Sequence, residues 1–110
     1  SIVKSLKKYG YKIGLISNYS LELREKLKKD EIYDLFDSII ISAEVKLIKP
    51  DPEIFKTSFK ELGVSPEEVV FIDDTPKSFE NSEMIGYTPI LYKDNNLLKQ
   101  ELKKILQIDF

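Results

Sequence analysis

The sequence contains no cysteine and no histidine. Without cysteine there is no disulfide, no thiolate nucleophile and no sulfur-ligated zinc. Without histidine there is no Ser-His-Asp triad, no imidazole metal cage and no side chain with an ordinary pKa near neutrality to act as general base. Chemistry in this chain therefore falls to Asp, Glu, Lys, Ser, Thr and Asn, and an oxygen-only ligand set favours Mg²⁺ over zinc or copper. Long apolar runs are missing too. No stretch approaches the ~20 residues that span a bilayer, and no signal-peptide pattern is present, so a cytoplasmic protein with no membrane partner is expected. The charge balance of 17 basic against 19 acidic groups, net -2, argues against a nucleic-acid surface. Lysine pairs such as Lys28-Lys29 and Lys103-Lys104 sit at helical spacing beside Leu and Glu and read as solvated helix faces.

What is present is an alternation of helical and strand patterns over 110 residues, enough for one domain at most. Ile2, Val3, Leu6 and Tyr9 share a helical face, and Gly10 follows as a C′ stop. The run from Lys12 to Ile16 suits a buried strand ending at Ser17-Asn18. Ser20 is placed to cap a helix carrying Leu21, Leu23 and Leu27. Ile39 to Ile41 is a second, β-branched strand. Asp51-Pro52 reads as an N-cap followed by proline at the first helical position, opening a helix through Ile54, Phe55, Phe59 and Leu62 to Gly63. Ser65-Pro66-Glu67-Glu68 has the spacing of a capping box. Val69 to Ile72 is a third strand, ending in Asp73-Asp74. A helix containing Phe79 and Met84 is expected to run to Gly86, Thr88 to Tyr92 to form a fourth strand, and Asn95 to Leu106 a terminal helix. Such alternation predicts an α/β fold with a Rossmann-like parallel sheet flanked by helices.

Ligands of parallel α/β sheets bind beyond the carboxyl ends of strands, and two strand ends here carry conspicuous polar residues. Ser17-Asn18 offers a hydroxyl, an amide and backbone N–H groups to phosphate oxygens; the plain alternative is a loop start that caps the next helix. The adjacent carboxylates of Asp73-Asp74 repel one another, and a bound Mg²⁺ would relieve that cost; the plain alternative is an acidic start to a helix opened by Thr75-Pro76. Between them, Lys49 stands just ahead of the proline-locked helix start, where its ammonium can be aimed at both. Alone it would be an ordinary surface lysine.

The order Ser-Asn, Lys-Pro, Asp-Asp on successive α/β elements, from Gly10 to about Tyr92, resembles the haloacid dehalogenase-like hydrolase superfamily. Gly14-Leu-Ile-Ser-Asn18 matches its second motif, Lys49-Pro-Asp-Pro-Glu-Ile-Phe55 its third, and Phe71-Ile-Asp-Asp74 its fourth, followed by a helix and Gly86. The details look most like the branch whose cap is inserted early in the chain. The resemblance implies a phosphatase acting on a small phosphorylated metabolite, with Mg²⁺ and an aspartyl-phosphate intermediate. Carried over residue by residue, Ser17 would hydrogen-bond the transferring phosphoryl oxygen and Asn18 would help hold phosphate through its side chain or backbone N–H. Lys49 would pair with phosphate and nucleophile. Asp74 would be the direct Mg²⁺ ligand, with Asp73 acting through water or as a close partner. Ser78 departs from the pattern, standing where relatives often carry asparagine.

The family's first motif, Asp-x-Asp-x-Thr or -Val on the central strand, supplies the nucleophile and the general acid/base, and no such sequence occurs in this chain. Asp73-Asp74-Thr75 does not substitute for it, because adjacent residues of an extended strand point to opposite sides. The resemblance puts that strand in mid-sheet, between the Ile13–Ile16 and Val69–Ile72 strands. Residues 1–110 are thus expected to be the C-terminal portion of a single core domain of a longer enzyme, without its cap, and either poorly stable alone or re-paired across the gap. The competing reading is a non-catalytic remnant of the same fold. Dehalogenase chemistry is a further option, disfavoured by the acidic pair. A response-regulator receiver would carry its acidic pair early and its lysine last, the reverse of this order. A P-loop ATPase would need Gly-x-x-x-x-Gly-Lys-[Ser/Thr], which is absent.

Overall fold

The structure is a computed structural model that describes all 110 residues. Along the chain run α1 (Ile2–Lys8), β1 (Gly14–Ser17), α2 (Leu23–Lys28), β2 (Ser38–Ile41), α3 (Ser42–Val45), α4 (Pro52–Leu62), β3 (Val70–Asp73), α5 (Ser82–Ile85), β4 (Thr88–Leu91) and α6 (Asn95–Leu106). Short 3₁₀ turns lie at Tyr33–Leu35, Pro66–Glu68 and Pro76–Phe79. Local chemistry sets most of these boundaries. The Asp51 carboxylate accepts from the Glu53 N–H at 2.9 Å and Pro52 takes the first helical position, so α4 starts where an orphan donor is satisfied and no N–H is wasted. Asp94 does the same for α6, accepting from the Leu97 N–H at 2.8 Å. Glu68 reaches back to the Ser65 N–H at 3.0 Å, the reciprocal bond of a capping box, although the element it opens is only a 3₁₀ turn.

The segment after β1 and the segment after β3 depart from expectation. α2 begins at Leu23 behind Glu22, with no side-chain cap. Ser20 gives its backbone carbonyl to the Leu23 N–H at 3.2 Å rather than capping with its hydroxyl, and Leu21 is left exposed. The single helix expected to carry Phe79 and Met84 is broken in two. Pro76 opens a 3₁₀ turn, and Asn81, at φ -107° and ψ 17°, leaves helical geometry before α5 starts. The four-residue α3 was not anticipated either; too short for periodicity to register, it is tied to α2 by the Arg24–Glu44 ion pair at 2.8 Å.

All strand pairing is parallel, in two separate ladders. β1 pairs with β2 in the register Ser17↔Ile41, and β3 pairs with β4 in the register Asp73↔Leu91. β1 and β3 do not hydrogen-bond to each other, so the re-pairing that would close the sheet does not occur, and each keeps an unpaired edge. Helices join the two halves instead. On one side, Ile54, Phe55 and Phe59 of α4 pack with Ile16, Ile40 and Tyr87, and Phe71 and Phe79 lie against that cluster. On the other, Leu6 of α1 and Leu98 and Leu102 of α6 pack with Ile90, flanked by Ile13, Val70 and Ile72. The alternation along β3 follows from strand geometry: Phe71 faces α4 while Val70 and Ile72 face α1 and α6. Asp73 shares the parity of Phe71, which brings its carboxylate to the α4 side. No helix is long and apolar enough to cross a membrane.

Two glycines bear on the packing and the turns. A side chain at Gly14 would bring its Cβ to 3.0 Å from Leu62 Cδ1, so the Leu62 side chain of α4 would have to give way by a few tenths of an ångström. Gly86 ends α5 at φ +105°, in open space except for Pro66 at 3.5 Å. Gly86→Ala is therefore expected to destabilise the fold through backbone strain alone, by more than about 1 kcal/mol, read as a lower urea midpoint with an unchanged denaturant slope.

Candidate active site

β1 ends in Ser17 and β3 in Asp73, and the connection that precedes α4 carries Lys49 to Asp73 and to Asn18, the residue after Ser17. Lys49 Nζ lies 2.6 Å from Asp73 Oδ2, with side chains only 12% and 9% exposed. The same ammonium stands 5.6 Å from the centroid of the Phe71 ring, a cation–π arrangement two residues before its carboxylate partner. Beneath it, Phe71 meets Phe55, Phe79 and Tyr87 edge-on, at centroid distances of 5.0, 5.8 and 5.4 Å. The charged pair thus rests on an aromatic floor that admits little water.

Burial by itself would raise the Asp73 pKa. The Lys49 ammonium, the Thr75 N–H donating to Oδ1 at 2.9 Å and the Ser78 hydroxyl outweigh it and hold the carboxyl below its usual range. The buried Tyr87 phenol is pushed up to about 12, first by desolvation and then by the negative charge of Asp73. Tyr87 therefore stays neutral at any physiological pH, donating to the Ser78 carbonyl at 3.3 Å.

Of the two groups by which Asn18 is expected to hold phosphate, the side-chain amide is engaged within the protein. Its Oδ1 accepts from the Lys49 N–H at 2.9 Å and its Nδ2 donates to the Lys49 carbonyl at 3.4 Å. The side-chain amide is thus engaged with the backbone of Lys49, which leaves the Asn18 N–H, with no backbone acceptor of its own, as the group free to meet an anion. Ser17 is buried at the end of β1, immediately before this amide. Lys49 precedes Pro50 through a cis peptide bond.

The two acids differ. Both oxygens of Asp73 are engaged, one by Lys49 and one by the Thr75 N–H. Asp74 is exposed and accepts only from the Thr75 hydroxyl, at 3.2 Å. No group of three or more acidic side chains converges anywhere in the chain. For Mg²⁺, which keeps several waters and takes one or two carboxylates together with substrate phosphate, this donor set fits: an accessible carboxylate at position 74 and a second acid beside it. The structure thus brings Ser17, Asn18, Lys49 and Asp73 to one end of the fold, with Asp74 alongside.

Asn81 and Phe71 were not singled out by sequence. Asn81 Nδ2 donates to the Pro50 carbonyl at 2.9 Å, and nothing in the local pattern distinguishes it from an ordinary helix cap. Phe71 reads from sequence simply as an apolar strand residue.

Known proteins resemble this chain over most of its length. The chain is 37% identical over 100 residues to a glyceraldehyde 3-phosphate phosphatase of Pyrococcus furiosus, covering 89% of this chain and 42% of that protein. It is 32% identical over 113 residues to bifunctional epoxide hydrolase 2 of Rattus norvegicus, covering 96% of this chain and 20% of that protein. Among solved structures, a HAD family enzyme of Bacteroides thetaiotaomicron in complex with magnesium and inorganic phosphate superimposes with a TM-score of 0.77 at 27% identity, covering 88% of this chain and 54% of that one. The chain spans well under two thirds of the length of each. The sequence model described as haloacid dehalogenase-like hydrolase matches residues 1–91, and with the parallel α/β core this shows that the chain belongs to the haloacid dehalogenase-like hydrolase family.

Proposed function

We propose that residues 1–110 form the phosphate- and magnesium-holding portion of a phosphatase. Its substrate is a small phosphorylated metabolite, and the attacking aspartate comes from outside these residues, forming an aspartyl-phosphate. The observation that carries this reading is the Lys49–Asp73 pair, 2.6 Å apart and nearly buried at the ends of β1 and β3. A fixed, desolvated ammonium beside a free Asn18 N–H is the kind of preorganised positive charge that phosphoryl transfer uses. Ser17 donates its hydroxyl to the transferring group, and Asn18 holds phosphate through its backbone N–H while its side chain holds Lys49. Asp73 holds the Lys49 ammonium in place through their 2.6 Å ion pair. Bound Mg²⁺ would neutralise phosphoryl oxygens, with Asp74 as its direct ligand and Asp73 reached through water. The relative named as a phosphatase and the neighbour holding magnesium and inorganic phosphate support this chemistry, and the acidic pair Asp73-Asp74 favours it over displacement of halide. A cytoplasmic setting belongs to the same proposal.

The test is hydrolysis of p-nitrophenyl phosphate with Mg²⁺, comparing residues 1–110 with a chain extended upstream to include an Asp-x-Asp strand. Residues 1–110 alone are expected to be inactive and the extended chain active, with activity lost on chelation by EDTA. Asp74→Ala in the extended chain should lower turnover by at least about 100-fold. Turnover by residues 1–110 alone would overturn the external nucleophile. Full activity of Asp74→Ala would overturn the assignment of the metal carboxylate.

A further inference from the structure

Asn81 has no part in the chemistry above and none in capping its own helix. It stands at the N-cap position of α5 yet makes no side-chain hydrogen bond there, although asparagine at that position ordinarily accepts from the second or third helical N–H. Its Nδ2 instead reaches across 31 residues to donate to the Pro50 carbonyl at 2.9 Å. From the other side, Asn18 accepts from the Lys49 N–H at 2.9 Å and donates to the Lys49 carbonyl at 3.4 Å. Proline has no N–H, so these bonds engage every backbone polar group of the Lys49-Pro50 dipeptide, and all of them go to asparagine side chains.

We propose that Asn81 is a positioning residue for Lys49, forming with Asn18 a two-sided clamp on the peptide that presents the ammonium. Lysine has a flexible four-carbon stem, so the reach of Nζ is defined only as well as the backbone from which the stem springs. Asn18 ties that backbone to the end of β1. Asn81 ties it to the connection that follows β3, the strand that ends in Asp73. The lysine and its carboxylate partner are thereby linked through the main chain as well as through their ion pair. A shift of even ~1 Å in such a group costs up to about 100-fold in rate. The kinetic consequence rests on the phosphatase reading; the clamp itself does not.

Asn81→Asp keeps the shape of the side chain but sets an oxygen, in place of the donor, against the Pro50 carbonyl. In the upstream-extended chain with Mg²⁺ and p-nitrophenyl phosphate, kcat is expected to fall about 10- to 100-fold while KM stays within about threefold. In residues 1–110, amide hydrogen exchange at Lys49 is expected to quicken about tenfold against unchanged exchange in α6 and β4. Asn81→Gln, which retains the donor, should recover part of both losses. Unchanged kcat together with unchanged Lys49 exchange would overturn the proposal, as would faster exchange spread evenly over the whole chain, which marks general destabilisation. If Asn81→Asp does not fold, Asn81→Ala is scored by the same criteria. If the extended wild-type protein hydrolyses no phosphate ester, the phosphatase reading fails by itself and the exchange at Lys49 still decides the clamp.

Discussion

Replacing Lys49 with methionine is expected to abolish phosphatase turnover in the upstream-extended protein and to destabilise residues 1–110 by about 3 kcal/mol. The catalytic loss follows from removing the one fixed cation of the site. The loss of stability has a separate origin. Asp73 is only 9% exposed and loses the partner 2.6 Å away, so an uncompensated carboxylate is left over the aromatic floor. Removing both charges should be milder than removing one. The double substitution Lys49→Met with Asp73→Leu is expected to regain at least half of the stability lost in Lys49→Met, because the desolvation cost disappears with the charge. Urea unfolding followed by circular dichroism measures both, and a double mutant no more stable than Lys49→Met would refute the stranded-charge explanation.

The pair also gives acid sensitivity a direction. Folding lowers the Asp73 pKa below its ordinary 3.8, so its contribution to stability is fully present above that value and is lost as the pH falls through the lower folded pKa. Asp37, held low by the ammonium of Lys7 and the Ile13 N–H, adds in the same direction. In Lys49→Met the Asp73 share of this acid transition should shrink, since the stabilising partner is gone.

The second large effect is expected at Phe55. This ring is completely buried and stands 5.0 Å from Phe71, 5.2 Å from Tyr87 and 6.3 Å from Phe59. It belongs to α4 and fills the cluster that joins the β1–β2 half of the molecule to the β3–β4 half, where no backbone ladder does so. Phe55→Ala should cost about 3–5 kcal/mol, a large share of what a domain with 16 buried residues can hold. Because Phe71 lies under Lys49, the cavity should also loosen the site. Leu97→Ala, at a position 44% exposed, should stay within about 0.5 kcal/mol. Equal losses in the two variants, measured by the same urea titration, would show that the aromatic cluster does not carry the fold.

How much of this was legible beforehand varied with how local the cause was. The start of α4 at Asp51-Pro52, its end at Gly63 and the whole of α6 match the structure, because caps, left-handed stops and amphipathic spacing act within a few residues. The helix expected through Phe79 and Met84 to Gly86 is divided in the structure. Proline at position 76 favours a tight turn, and Asn81 spends its side chain on a distant carbonyl rather than on its own helix. Ser20 looked like a cap because its residue type suits one, but the chain enters α2 through a backbone turn instead.

By itself the sequence determined the parallel α/β class, the family, and the strand ends at which Ser17 and Asp73 would stand, since strand periodicity and motif order are properties of neighbouring residues. Only the tertiary structure decided what those groups do to one another. Asp73 is engaged by Lys49 across 24 residues, the Asn18 amide by the Lys49 backbone across 31, and Asn81 reaches Pro50 over the same separation. Hydrogen bonds of that reach depend on how two half-sheets are set against α4, and no local pattern carries that information. The physical consequence is a division of labour between adjacent acids: strand parity turns Asp73 inward to the lysine and leaves Asp74 exposed, with a carboxylate free for a cation.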